Sequence, residues 1–275
     1  MLNQTTPIVR HLTGLRGGLS LSAVLLAASV AGTASAASVT AKATSNTSGS
    51  YTMHYNEGSG GVNFDTSGGA GLFEWQVTAS GDKDQLALHG DNDNKFYTFC
   101  IEVVETLRMN TSYTYELTQP LLAPSENGDL QRPMGPTAAG LLSKWYGTYY
   151  NDMIASDSID QERAFQMGVW EIVYESIAIE RNFNPLQLTG DFNINNGVFT
   201  TSADSGNTLA QSWLDSNWQT DGKETVLIAL TKDGKQDQIA VAAPEFQSVP
   251  SPVAFIPGAA GMLFLASRRR RRTAD

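Results

Sequence analysis

The stretch "SIDQERAFQMGVWEIVYESI", residues 158–177, decides the fold class. Its apolar residues recur at helical spacing, with Gln166, Trp170, Val173 and Ile177 in one stripe and Phe165, Val169 and Ile172 beside it. Ser158 and Gln161 have capping-box spacing, and Gly168 is the only helix breaker in the run. Glu171 and Glu175 are expected on the outer side. A helix this clear excludes an all-β fold.

What precedes it has a different period. "YTMHYN" (51–56), "LFEWQVTA" (72–79), "FYTFCIEVV" (96–104) and "SYTYELT" (112–118) alternate residue by residue, as half-buried strands do. "SVTAKATSNTSGS" (38–50) is rich in Ser, Thr and Ala and reads as a flexible lead-in or an edge strand. "GPTAAGLLSKWYGTYYNDMI" (135–154) places Leu141, Leu142, Trp145, Tyr146 and Tyr149 at helical spacing, and "NTLAQSWLDSNW" (207–218) predicts a third helix. "ETVLIAL" and "DQIAVAA", joined through Asp233-Gly234, predict a closing hairpin. Strands, helices and strands again give an α+β fold: an antiparallel β-sheet or barrel with an inserted α-helical subdomain.

Both ends look like addresses. Residues 1–36 hold Arg10 and Arg16, an apolar run and Ala34 and Ala36 at the positions a signal peptidase reads, which predicts a signal peptide cleaved after Ala36. Residues 249–275 combine Pro250 and Pro252, a short apolar segment and the run Arg268–Arg272. The tail is short for a spanning helix, and its arginines would hold it at the cytoplasmic face of a membrane before processing. This tail resembles the PEP-CTERM sorting signal, with Ser251 where that family usually has Glu; the resemblance implies an exosortase-type processing enzyme that cuts near the proline motif. Residues 37–248 are thus expected outside the cytoplasm, at the cell surface or in the extracellular matrix.

The two ends hold seven of the 18 Lys and Arg residues and one of the 28 acids, which leaves 11 against 27 and a net charge of −16 for residues 37–248. Nucleic acid is a poor partner for such a surface. About 210 residues are enough for one domain with its own core. No Cys/His cluster, phosphate-binding glycine loop or dinucleotide fingerprint is present, so no metal or organic cofactor is indicated. "DNDN" (91–94) lacks the ligand spacing of a calcium loop and reads as a turn.

Two residues stand out against this background. Cys100 is the only cysteine in 275 residues, so it has no internal disulfide partner. In a strand it falls on the face opposite Tyr97, Phe99 and Ile101, with Phe96, Thr98 and Glu102. Gln166 is a primary amide on an inward helix face, where an unpartnered amide costs roughly 1–3 kcal/mol.

Together the motifs Phe99-Cys100-Ile101 and Phe165-Gln166-Met167-Gly168-Val169-Trp170 resemble those of the thioester domains of bacterial surface adhesins. The resemblance implies a bond from the Cys100 sulfur to the Gln166 side-chain carbonyl with loss of ammonia, and a thioester shielded by Phe99, Phe165 and Trp170. It also implies covalent capture of an amine-bearing partner such as a protein lysine, with single turnover and no enzymatic cycle. Two other classes compete. A Cys100 nucleophile enzyme would need His54 or His89 as its base. A non-covalent structural or glycan-binding matrix protein would leave Cys100 inert and could use Trp213 and Trp218 as sugar platforms.

Overall fold

A computed structural model describes residues 37–47, 49–56, 63–79, 81–90, 94–124, 132–181, 192–202 and 205–247. The expected signal peptide and sorting tail, with Ala36, Pro250 and Pro252, lie outside the described residues. So do residues 91–93 of the expected turn.

The chain forms an α+β structure built on a closed six-stranded antiparallel barrel. Its strands are β1 (Ser38–Asn46), β4 (Phe73–Ala79), β5 (Lys95–Cys100), β6 (Ser112–Thr118), β8 (Leu227–Thr231) and β9 (Gln238–Val241). Around the barrel the order is β1-β4-β5-β9-β8-β6. A second sheet, β3-β2-β7, joins β2 (Gly49–Asn56), β3 (Asn63–Ala70) and β7 (Phe199–Thr201). Between β6 and β8 run α1 (Gly135–Ser156), α2 (Ile159–Arg181), β7, α3 (Ser205–Leu214) and the single turn α4 (Trp218–Asp221). The inserted helical subdomain and the closing hairpin are where the sequence places them. The third helix is shorter than its pattern and breaks into α3 and α4.

Ser/Thr/Ala-rich β1 is no lead-in. It pairs with both β4 and β6, and Val39, Ala41 and Ala43 are fully buried. Closing a barrel of six strands leaves little room inside, and Ala43 and Val39 lie in register beside the large rings of Trp75 and Tyr115.

Helix α2 lies between the barrel and the second sheet. Towards the barrel, Phe165 packs on Phe99 at a ring distance of 4.7 Å and on Tyr146 of α1 at 4.8 Å. Towards the sheet, Tyr174 meets Tyr55 and Phe199, each at 5.1 Å. The first turn is capped loosely, the Gln161 N–H reaching the Ser158 hydroxyl at 3.5 Å.

The outer side expected for Glu171 and Glu175 is not exposed. Glu171 is fully buried, and Glu175 accepts the main-chain N–H groups of Val198 and Phe199. The segment from Phe192 to Phe199 folds over this face, so the helix is covered nearly all round. Burial and the neighbouring Glu175 push the Glu171 carboxyl well above the usual carboxylate range, opposed only by the Asn193 main chain.

Candidate functional site

The alternation of β5 holds. Phe96, Thr98 and Cys100 are buried within the barrel, half-buried Tyr97 faces outward, and Phe99 faces α1 and α2. Cys100 is the last residue of β5 and pairs in register with Gln238, the first residue of β9. The pair therefore sits at the rim of the barrel, with both side chains on its inner face.

Gln166 meets Cys100, but through the main chain. Its Nε2 donates to the Cys100 carbonyl and its Oε1 accepts the Cys100 N–H, each at 2.8 Å, and all these groups are buried. The reason lies in the ladder. Phe99 and Ile101 direct their main-chain groups to β9, the Ile101 N–H reaching the Asp237 carbonyl at 3.1 Å, so those of Cys100 point to the β4 side. There the pairing of β4 with β5 ends at Phe73–Thr98. The Gln166 amide fills the rung that β4 vacates, with one donor and one acceptor as a strand residue would supply. Two buried main-chain groups are thereby satisfied.

The sulfur has a different neighbour. Gln238 Nε2 donates to Sγ at 3.2 Å, and the longer contact from Sγ to Gln238 Oε1 is 3.7 Å. The carbonyl carbon bonded to both amide atoms is necessarily close to the sulfur. The amide facing Cys100 Sγ is thus that of Gln238, while the expected partner Gln166 is engaged along both edges by the Cys100 main chain. Sequence reasoning missed Gln238. Within "DQIAVAA" the one available signal is a polar residue at the inward position beside Ala240.

The surroundings of the sulfur are polar. The Trp75 Nε1–H donates to Thr98 Oγ1 at 2.8 Å, and Thr98 Oγ1 lies 2.8 Å from Gln238 Oε1. Glu102, fully buried, accepts the Asp237 N–H at 2.9 Å, while Gln236 Nε2 donates to the Glu102 carbonyl at 2.8 Å. The Tyr115 hydroxyl donates to the Gln236 carbonyl at 3.4 Å. Burial pushes the Cys100 thiol up to about 12; the Gln238 N–H opposes the shift and the Glu102 charge adds to it. An unbonded Cys100 is therefore protonated at neutral pH.

The three rings expected to shield the sulfur pack elsewhere. Phe99 and Phe165 stack behind the strand, on the face away from the sulfur. Trp170 is buried but packs on Phe199, at 6.3 Å, towards the second sheet. The rings on the sulfur's side of β5 include Phe96, Trp75 and Tyr115, the last two edge to face at 5.4 Å.

Neither histidine attends Cys100. His54 Nδ1 contacts Asp65 at 2.6 Å on the second sheet, while His89 stacks on Tyr97 at 3.9 Å and reaches Glu74 at 3.5 Å. Trp218, one of the two expected sugar platforms, is core, and half-buried Trp213 is stacked face to face on Tyr149 at 4.8 Å. Among the described residues no cluster of three or more His, Cys, Asp or Glu could hold a metal ion, and no helix is long and apolar enough to cross a membrane. No protein-family model, curated protein or solved structure matches the chain.

Proposed function

We propose that this chain is an exported surface protein whose barrel rim carries a thioester between Cys100 Sγ and Gln238 Cδ, and that this bond captures an amine on a partner surface. The observation behind the reading is the contact of one buried amide with the sulfur of the lone, buried cysteine, 3.2 Å from nitrogen and 3.7 Å from oxygen. Sulfur attacks the carbonyl carbon, the C–N bond breaks, and the thiol proton leaves with the nitrogen as ammonia. No co-reactant is needed.

Thiol attack on a carboxamide is slow in water. A fold that holds the two groups in near-attack contact can supply about 7–11 kcal/mol through effective molarity. The raised thiol pKa fits such a pair better than a free nucleophile, because a cysteine enzyme needs a base to make thiolate and, among the described residues, no histidine hydrogen-bonds Cys100. Capture then reverses the pattern: an amine attacks the thioester carbon, an amide forms at Gln238 and Cys100 regains its thiol.

In this reading Gln166 is a clamp. It fixes the main chain of Cys100, and with it the direction of the sulfur, by tying β5 to α2. Cleavage after Ala36, an exosortase-type cut near Pro250 and Pro252, and a surface location complete the proposal. The matrix-protein alternative keeps Cys100 inert, and buried Trp218 leaves it without one of its two sugar platforms.

Methylamine decides between the two. Treated protein should gain the mass of methylamine, mapped to Gln238, and one titratable thiol at Cys100. A chain of full sequence mass whose Cys100 is alkylated after unfolding without any amine treatment would refute the thioester.

A further inference from the structure

We infer that Thr98 is the catalytic hydroxyl of thioester formation, the donor that holds the oxyanion of Gln238, and that the Trp75 indole N–H sets its direction. This rests on the Cys100–Gln238 reading and adds to it the residue that activates the carbonyl.

The hydrogen bonds around Thr98 share one polarity. An indole N–H can only donate, so Trp75 Nε1, 2.8 Å away, occupies an acceptor site of Thr98 Oγ1. The single hydroxyl hydrogen of Thr98 is then free for Gln238, again at 2.8 Å. Gln238 presents its oxygen to Thr98 and turns its NH2 group towards the sulfur. The other end of the amide agrees. Gln238 Nε2 lies 3.4 Å from the Gln236 carbonyl, which accepts from nitrogen and would repel an oxygen in that place. The Gln236 carbonyl thus sets the amide orientation and the Thr98 hydroxyl suits it, with the departing nitrogen towards Cys100 and the carbonyl oxygen held by Thr98.

The oxygen held by Thr98 is where charge develops. As the S–C bond forms, the carbonyl electron pair moves onto Oε1. The C–N bond then breaks, nitrogen leaves as ammonia with the thiol proton, and the pair returns to restore C=O. A hydroxyl donor at 2.8 Å matches the distance at which oxyanion donors act. It is dry and fixed, since Trp75, Thr98 and Gln238 are all buried, so little reorganisation accompanies the reaction. The same donor would serve the reverse attack by an amine. Thr98 has a counterpart on no other strand: among the described residues, Gln238 Oε1 has Thr98 and the weak Cys100 thiol as its donors.

The test uses protein purified in denaturant from a chain that has never folded, then refolded by dilution while intact mass is followed with time. Wild type should lose one ammonia. Thr98→Val, which keeps the shape and removes the hydroxyl, should lose it about 10²–10³-fold more slowly, the usual cost of one oxyanion donor. Thr98→Ser should restore the rate to near that of wild type, which a merely structural role for the threonine methyl would not do. Trp75→Phe, which keeps an aromatic ring in the core, should fall between wild type and Thr98→Val and tests the relay if Thr98→Val does not refold. Ammonia loss at the wild-type rate from folded Thr98→Val or Trp75→Phe would overturn the inference and leave the thioester standing. A wild-type chain that never loses ammonia would instead remove the thioester reading itself.

Discussion

Replacing Gln166 by Met separates the clamp from the crosslink. Met is unbranched and of similar length, so the space between α2 and β5 stays filled while both hydrogen bonds to Cys100, each 2.8 Å long, are lost. The buried N–H and C=O of Cys100 are then unpaired. An unsatisfied buried group costs about 1–3 kcal/mol, so the pair costs about 2–6 kcal/mol. Against a typical domain stability of about 5–15 kcal/mol, Gln166→Met should still fold at low temperature but with a much lower urea midpoint. Its folded fraction should nonetheless lose one ammonia, because Gln238 and Cys100 are intact. Gln238→Ala should behave in the opposite way, keeping its full mass and a thiol. Folded Gln166→Met of full mass, alongside a Gln238→Ala protein that loses ammonia, would refute the pairing and return the bond to Gln166.

Two further outcomes follow from the packing around α2. A Cβ at Gly168 would lie 2.1 Å from Cζ2 of Trp145, so Gly168→Ala should cost about 1–3 kcal/mol in urea unfolding, with partial recovery when Trp145→Phe makes room. Burial and Glu175 raise the Glu171 pKa, so the folded state keeps that proton longer than the unfolded chain; the group favours folding below the ordinary carboxylate range and this is lost as pH rises through it. Glu171→Gln should therefore melt higher than wild type at pH 7, with the difference shrinking towards pH 4 in thermal scans; a constant difference would count against the buried acid.

Local pattern carried much of this fold. The 3.6 period of α2 and the alternation of β5 were enough to turn Gln166 inward and to set Cys100 opposite Phe99, and both residues meet where those patterns converge. The sulfur's neighbour was not legible because it depends on closure. Gln238 is 138 residues from Cys100 and comes beside it only when β9 pairs with β5. Nothing in "DQIAVAA" alone distinguishes that glutamine from a polar residue at a strand end. The burial of β1 was hidden for a related reason, since alanine looks weakly apolar in sequence but suits the narrow interior facing Trp75. Glu171 misled because its cover comes from the segment between Phe192 and Phe199, which no helical period reports.

The proposed bond between Cys100 Sγ and Gln238 Cδ is directly observable. Folded wild-type protein, digested under acid without reduction or amine, should yield a single crosslinked pair of peptides containing Cys100 and Gln238, one ammonia lighter than their sum. Separate Cys100 and Gln238 peptides of full mass, with the thiol free, would contradict it.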